Sequence, residues 1–188
     1  MPKSIFIIGG ARSGKSHYAQ ELALKSPQPV LFVATAEAGD DEMQQRIENH
    51  RKSRPANWDT LEVTTHIGSK ISQKIGQART VIVDCITLLV NNVFQQHGKL
   101  TDETRDASLV EKEVLAEISE LTDCINHVKA DFIIVSNELG LGLVPADRIS
   151  RLYRDLLGKA NQRLAQRADE VYFLAAGIPL CIKPVKPA

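Results

Sequence analysis

Gly9-Gly10-Ala11-Arg12-Ser13-Gly14-Lys15-Ser16 decides the fold. The octet fits G-x-x-x-x-G-K-[ST], the phosphate-binding P-loop, and it has the flanks which that pattern requires. Ile5-Phe6-Ile7-Ile8 before it is a short apolar run, the mark of a buried strand. After it, Tyr18, Ala19, Leu22 and Ala23 recur at helical spacing. A strand, a glycine loop and a helix in this order turn backbone N–H groups toward an anion. Gly9 and Gly14 are expected to take backbone angles closed to other residues, so that the loop can wrap a phosphate closely. The helix N-terminus adds its partial positive charge. Lys15 is placed to reach the β- and γ-phosphates, and the Ser16 hydroxyl to ligate Mg²⁺. The expectation is a nucleoside triphosphate site.

Outward from the loop, strand-like runs alternate with helical patterns. Strands are predicted at 5–8, 30–34, 60–64, 80–84, 131–136, 170–174 and 179–183, and several are apolar at consecutive positions, as in strands covered on both faces. Helices are predicted at about 15–25, 40–53, 66–77, 86–96, 102–127 and 147–167, with Val110, Val114, Ile118, Leu121 and Ile125 forming the clearest apolar stripe. This alternation predicts an α/β fold with a mostly parallel, doubly wound sheet and right-handed crossovers. Ala176-Gly177 reads as a tight turn, so the last two strands are expected to form an antiparallel hairpin. No repeat or linker divides the chain, and residues 1–188 are read as one nucleotide-binding domain.

Composition narrows the function classes. Hydrophobic residues make up 43% of the 188, enough for a continuous core. Lys plus Arg (23) balance Asp plus Glu (23), so no basic field points to nucleic acid or a membrane surface. There is no signal-peptide pattern and no apolar run of membrane-spanning length. Cys85, Cys124 and Cys181 are widely spaced, and Cys85 and Cys181 fall in or beside apolar strands, so buried free thiols are expected. A cytoplasmic enzyme is the default expectation.

Ligands of such sheets bind beyond the carboxyl ends of the strands. That directs attention to Ala34-Thr35-Ala36, to Asp84 and to Ser136-Asn137-Glu138. Asp84 closes an apolar strand, where a carboxylate holds Mg²⁺ directly or through water; capping of the following helix is the alternative. Asp40, Asp41 and Glu42 suit the first turn of a helix. Met43, Ile47 and His50 share one helical face, so His50 is either a core-edge histidine or a reactive one. Arg46, Arg51, Lys52 and Arg54 gather near it, either as a solvated helix end or as a second phosphate-handling patch. A neutral imidazole there could attack a phosphoryl centre and form a phosphoramidate, with arginines stabilising the departing pyrophosphate. Asn137-Glu138-Leu139-Gly140-Leu141-Gly142-Leu143-Val144-Pro145 reads either as an active-site loop or as a plain connection, and Trp58 as a stacking surface or, preferred, as simple packing.

Taken together, the P-loop octet, Ala34-Thr35-Ala36, Asp40-Asp41-Glu42-Met43, Arg46-Ile47-x-x-His50 through Arg54-Pro55, Trp58, and Asn137-Glu138-x-Gly140-x-Gly142-x-Val144-Pro145 resemble one family in order and spacing. It is the bifunctional adenosylcobinamide kinase/adenosylcobinamide-phosphate guanylyltransferase family of cobalamin assembly. The resemblance runs from the first strand to the terminal hairpin. It implies a RecA-like P-loop domain, a homotrimer and two reactions. ATP or GTP, with Mg²⁺, would phosphorylate adenosylcobinamide. GTP would then guanylylate an enzyme histidine, and adenosylcobinamide-phosphate would take the GMP. The resemblance places that histidine at His50. It places nucleotide contacts at Gly9, Gly10, Ala11, Arg12, Ser13, Gly14, Lys15 and Ser16, at Ala34, Thr35 and Ala36, at Arg51, Lys52, Ser53 and Arg54, and at Glu62 and Asp84. Asn49 and Asp84 depart from the family pattern, where some relatives carry a histidine and a glutamate. A generic P-loop kinase and a nucleotide-binding regulatory module are the competing readings.

Overall fold

The computed structural model describes residues 2–37, 41–52, 54–97 and 106–184; the side chains of 41–43, 46, 49 and 50 also lie outside that description. The elements run β1 (Ser4–Gly9), α1 (Lys15–Leu24), β2 (Val30–Ala34), α2 (Asp41–Lys52), β3 (Asp59–Glu62), α3 (Ile67–Lys74) and β4 (Thr80–Asp84). They continue through α4 (Ile86–Gln96), α5 (Ala107–His127), β5 (Asp131–Asn137), α6 (Arg148–Arg167), β6 (Glu170–Ala175) and β7 (Ile178–Lys183). Among the described residues one sheet carries seven strands in the order β3-β2-β4-β5-β1-β6-β7. Every pairing is parallel except β6 with β7, the expected terminal hairpin.

The inner strands β1, β2, β4 and β5 alternate with period two and are buried on both faces, whereas the edge strands β3 and β7 are largely exposed. On β1, Ile5 and Ile7 face the layer that contains Ala19 and Ala23 of α1, while Phe6 and Ile8 join the larger core under α3, α4, α5 and α6. The same division separates Ile82 from Val81 and Val83 on β4, and Ile133 and Val135 from Phe132 and Ile134 on β5. The α5 stripe is as expected: Val110, Val114, Ile118 and Leu121 are buried, with Ile125 partly so. This helix begins at Ala107, where the Asp106 carboxylate accepts from the N–H groups of Ser108 and Leu109. The earlier part of the expected helix 102–127 lies outside the described residues.

Two features were not anticipated. Glu117, on α5, is buried and accepts from the backbone N–H groups of His66 and Ile67, each at 2.8 Å. It therefore satisfies the N-terminus of α3, with Glu120 accepting from Ser69 N–H at 2.7 Å. The expectation of a buried Cys181 is overturned: β7 is the edge of the sheet, and Cys181 is exposed together with Ile178, Leu180 and Ile182. Trp58 is buried in the α1-side core, as its packing role required. Among the described residues no helix is long and apolar enough to cross a membrane.

Candidate active site

A cleft of about 940 Å³ opens at the carboxyl ends of the strands. Its walls come from the P-loop and α1 (Ala11 to His17), from the ends of β2, β3, β4 and β5, and from α2 and the turn that follows it. The crossovers explain this convergence. Five strands run in parallel from β3 to β1, so Ala34, Glu62, Asp84, Asn137 and Gly9 all end at one rim of the sheet.

Gly14 has φ +92, which L side chains rarely adopt, and it starts α1 without a side-chain cap. Gly9 serves differently from the expectation: it lacks a positive φ, and a Cβ there would collide with the Leu174 carbonyl on β6. Its small size lets β1 sit against its neighbour. Lys15 is only 7% exposed; its ammonium donates to the Gly10 carbonyl at 2.6 Å and reaches Ser13 Oγ at 3.4 Å. Burial draws its pKa below the ordinary lysine value, with Cys85 and Asp84 pulling the other way. A phosphate would supply the counter-charge that the loop carbonyl only imitates.

Asp84 ends β4 and lines the cleft, while the N-cap position of α4 belongs to Cys85. Ser16 and Asp84 thus present a hydroxyl and a carboxylate to one cavity, hard oxygen donors of the kind that suit Mg²⁺. The Cys85 thiol is pushed up to about 12 by burial, and next by the Asp84 charge, so it stays protonated at neutral pH.

Thr35 is fully buried and contributes structure. Its hydroxyl donates to the Cys85 carbonyl at 2.7 Å and accepts from the Cys85 N–H at 2.8 Å. Asn92 Nδ2 donates to the carbonyls of Thr35 and Thr64 at 2.8 and 3.0 Å. This network ties the ends of β2 and β4 to α4, and leaves Ala34 and Ala36 on the cleft wall.

The cationic cluster is divided. Arg54 stacks 3.8 Å over the Phe32 ring, and its buried Nε and Nη1 have no hydrogen-bond partner among the described residues. Burial also lowers its pKa, opposed by Asp84 and Glu62. Arg51 pairs with Glu62, and both line the cleft. Lys52 is exposed and does not line it. Ser53 and the side chain of His50 lie outside the described residues; the backbone of His50 belongs to α2, between the cleft residues Ile47 and Arg51. Asp40 lies outside the description as well.

Sequence reasoning missed Phe32, Gln44, Glu48, Lys70 and Leu88 as cleft residues. For Phe32 the only signal is its place in a buried strand, which gives no hint that an arginine lies on its ring.

The residues 5–182 match the family model described as cobinamide kinase / cobinamide phosphate guanyltransferase. The chain belongs to this family. It is 39% identical over 180 residues to the bifunctional adenosylcobalamin biosynthesis protein CobU of Salmonella typhimurium, covering 95% of this chain and 99% of that relative. The Escherichia coli CobU matches at the same identity and coverage. The CobP protein of Pseudomonas aeruginosa is 40% identical over 177 residues, 94% of this chain and 95% of the relative. The description of the cobinamide kinase / cobinamide phosphate guanyltransferase family names two activities, and these relatives are called bifunctional. The chain is an enzyme of cobalamin biosynthesis.

Proposed function

We propose that this one cleft phosphorylates adenosylcobinamide and then transfers GMP to the phosphorylated product, giving adenosyl-GDP-cobinamide and pyrophosphate. The observation that carries this reading is Arg54, held over Phe32 with two buried donors unpaired in a cavity shared with the P-loop. Unpaired buried donors are rare, and an anionic ligand would satisfy them.

In the kinase step the substrate hydroxyl attacks the γ-phosphorus of ATP or GTP. The new O–P bond forms as the β–γ bridge breaks, nucleoside diphosphate leaves, and the hydroxyl proton passes to solvent. Little covalent chemistry falls to the protein, so Lys15 and the Ala11–Gly14 N–H groups act by positioning and charge neutralisation. Ser16 and Asp84 would hold Mg²⁺, which when bound neutralises the β- and γ-oxygens.

In the second step a His50 imidazole nitrogen attacks the α-phosphorus of GTP, the α–β bridge breaks and pyrophosphate leaves. The resulting P–N bond is cleaved when the cobinamide phosphate oxygen attacks, which restores the free imidazole. Arg51 and Arg54 stand on the α2 side of the cleft, suited to the charge on the departing group. Glu62, paired to Arg51, would orient it. We assign Arg12, Ala34 and Ala36 to nucleotide contact, and infer that α2 moves to bring His50 in line. A homotrimer in the cytoplasm completes the reading; the apolar edge strand β7 is consistent with self-association.

The experiment is incubation with α- or γ-labelled GTP and Mg²⁺. Acid-labile α-label stays on wild type and is lost in His50→Ala; retained label in that variant eliminates His50 as the nucleophile. Sedimentation of the purified protein checks the trimer.

A further inference from the structure

β5 separates the P-loop strand from the strand that ends in Asp84, and its last residue is Asn137. In register, Asn137 stands beside Gly9, and Val135 beside Asp84. Neighbouring strands lie roughly 4.8 Å apart, so Asn137 adjoins the start of the phosphate loop on one side, and on the other it lies two residues beyond the register partner of Asp84. It lines the cleft.

Its backbone is fixed from several sides. The Asn137 N–H donates to Thr87 Oγ1 at 2.9 Å, and its carbonyl accepts from Asn161 Nδ2 at 3.0 Å. Ser136 Oγ donates to Asn161 Oδ1 at 2.6 Å, and Glu138 N–H to the Gly9 carbonyl at 3.0 Å. Tyr153 closes the frame by donating to the Thr87 carbonyl at 2.8 Å. The Asn137 side-chain amide takes part in none of these bonds. A neutral amide is thereby held on rigid strand at the rim of the sheet, where groups can be preorganised toward developing charge.

We propose that the Asn137 side-chain amide donates a hydrogen bond to the phosphoryl group transferred in the kinase step, as a catalytic residue. Asn161 and Thr87 are its positioning residues. The assignment rests on the reading of the cleft given above, and it separates the two reactions. Asn137 lies on the P-loop side of Asp84, whereas α2, with Arg51 and His50, belongs to the β2–β3 side.

The test compares Asn137→Ala and Asn137→Asp in the full-length protein, using γ-label transfer from ATP to adenosylcobinamide and α-label capture from GTP. Loss of one such donor is expected to lower kinase kcat about 100-fold in Asn137→Ala. The KM for ATP and the guanylyl-enzyme yield should stay within about threefold of wild type. Asn137→Asp keeps the shape but cannot donate when ionised and repels phosphate, so it should be no faster than Asn137→Ala. A purely structural role would give the reverse order, because the isosteric variant would be the milder one. An unchanged kinase rate in Asn137→Ala, an equal fall in both half-reactions, or a faster Asn137→Asp overturns the assignment. Wild-type protein that fails to phosphorylate adenosylcobinamide defeats the function reading itself, whereas active wild type with unaffected Asn137→Ala defeats this inference alone.

Discussion

Arg54 shows what this site gives up in order to bind. Among the described residues two of its buried nitrogens lack partners, and leaving such donors unmade costs about 1–3 kcal/mol. Arg54→Met keeps the stem over Phe32 and deletes the orphaned donors. Ligand-free Arg54→Met should therefore melt higher than wild type, by about 2–4 °C for each kcal/mol recovered. Its GTP affinity should fall at least about tenfold, read by nucleotide titration. Lys15 follows similar logic. Burial lowers its pKa, so folded protein without nucleotide sheds this proton at a lower pH than the unfolded chain does. The folded state then binds fewer protons than the unfolded one, and stability from this group rises as pH climbs from the lowered value to the ordinary lysine value. Melts of wild type and Lys15→Met should show their difference narrowing across that window. Lys15→Met should also lose the melting shift that ATP gives wild type.

At the level of elements, α3 depends on α5 for both its placement and its cap. A Cβ at Gly68 would collide with the Glu120 carbonyl, so the two helices meet backbone to backbone. Gly68→Ala is expected to lower stability by about 1–3 kcal/mol through that overlap. Glu117→Gln should do so by about 1–3 kcal/mol, because an amide nitrogen would then face one of the two α3 N–H groups. Chemical denaturation measures both. This contact was hidden in the sequence for a definite reason. Glu117 reads as a solvated charge beside the stripe formed by Val114, Ile118 and Leu121, and its partners lie some fifty residues earlier. Periodicity reports which face of a helix is buried; it does not report which backbone donors wait there. Where the determinant was local, as in the strand–loop–helix around Gly14 or the tight turn at Ala176-Gly177, the sequence was sufficient.

For the whole molecule, the alternating pattern led to the mostly parallel sheet and placed Ala34, Asp84 and Asn137 at one rim, because parallel strands with crossovers allow little else. Strand order was not legible: hydrophobic runs do not say that β5 and β6 will flank β1. The exposure of Cys181 was hidden for the same reason, since an apolar strand at an edge reads like one in the centre. The terminal hairpin also bears on the loop. Gly177 N–H donates to the Ser13 carbonyl at 3.0 Å, and Tyr18 of α1 meets Tyr172 of β6 edge-on, with ring centroids 5.5 Å apart. Tyr172→Ala should loosen this support and lower stability by about 3–5 kcal/mol at most, with the KM for nucleotide raised more than kcat is reduced.

Because β1 is hemmed by β5 on one side and β6 on the other, it is completed only by strands synthesised well after it. A nascent chain stalled before residue 170 has the whole Gly9–Ser16 motif in hand and lacks one wall of its cradle. Translation arrested at that length should yield no nucleotide-protected species, and protection should arrive abruptly once the β6–β7 hairpin emerges from the exit tunnel.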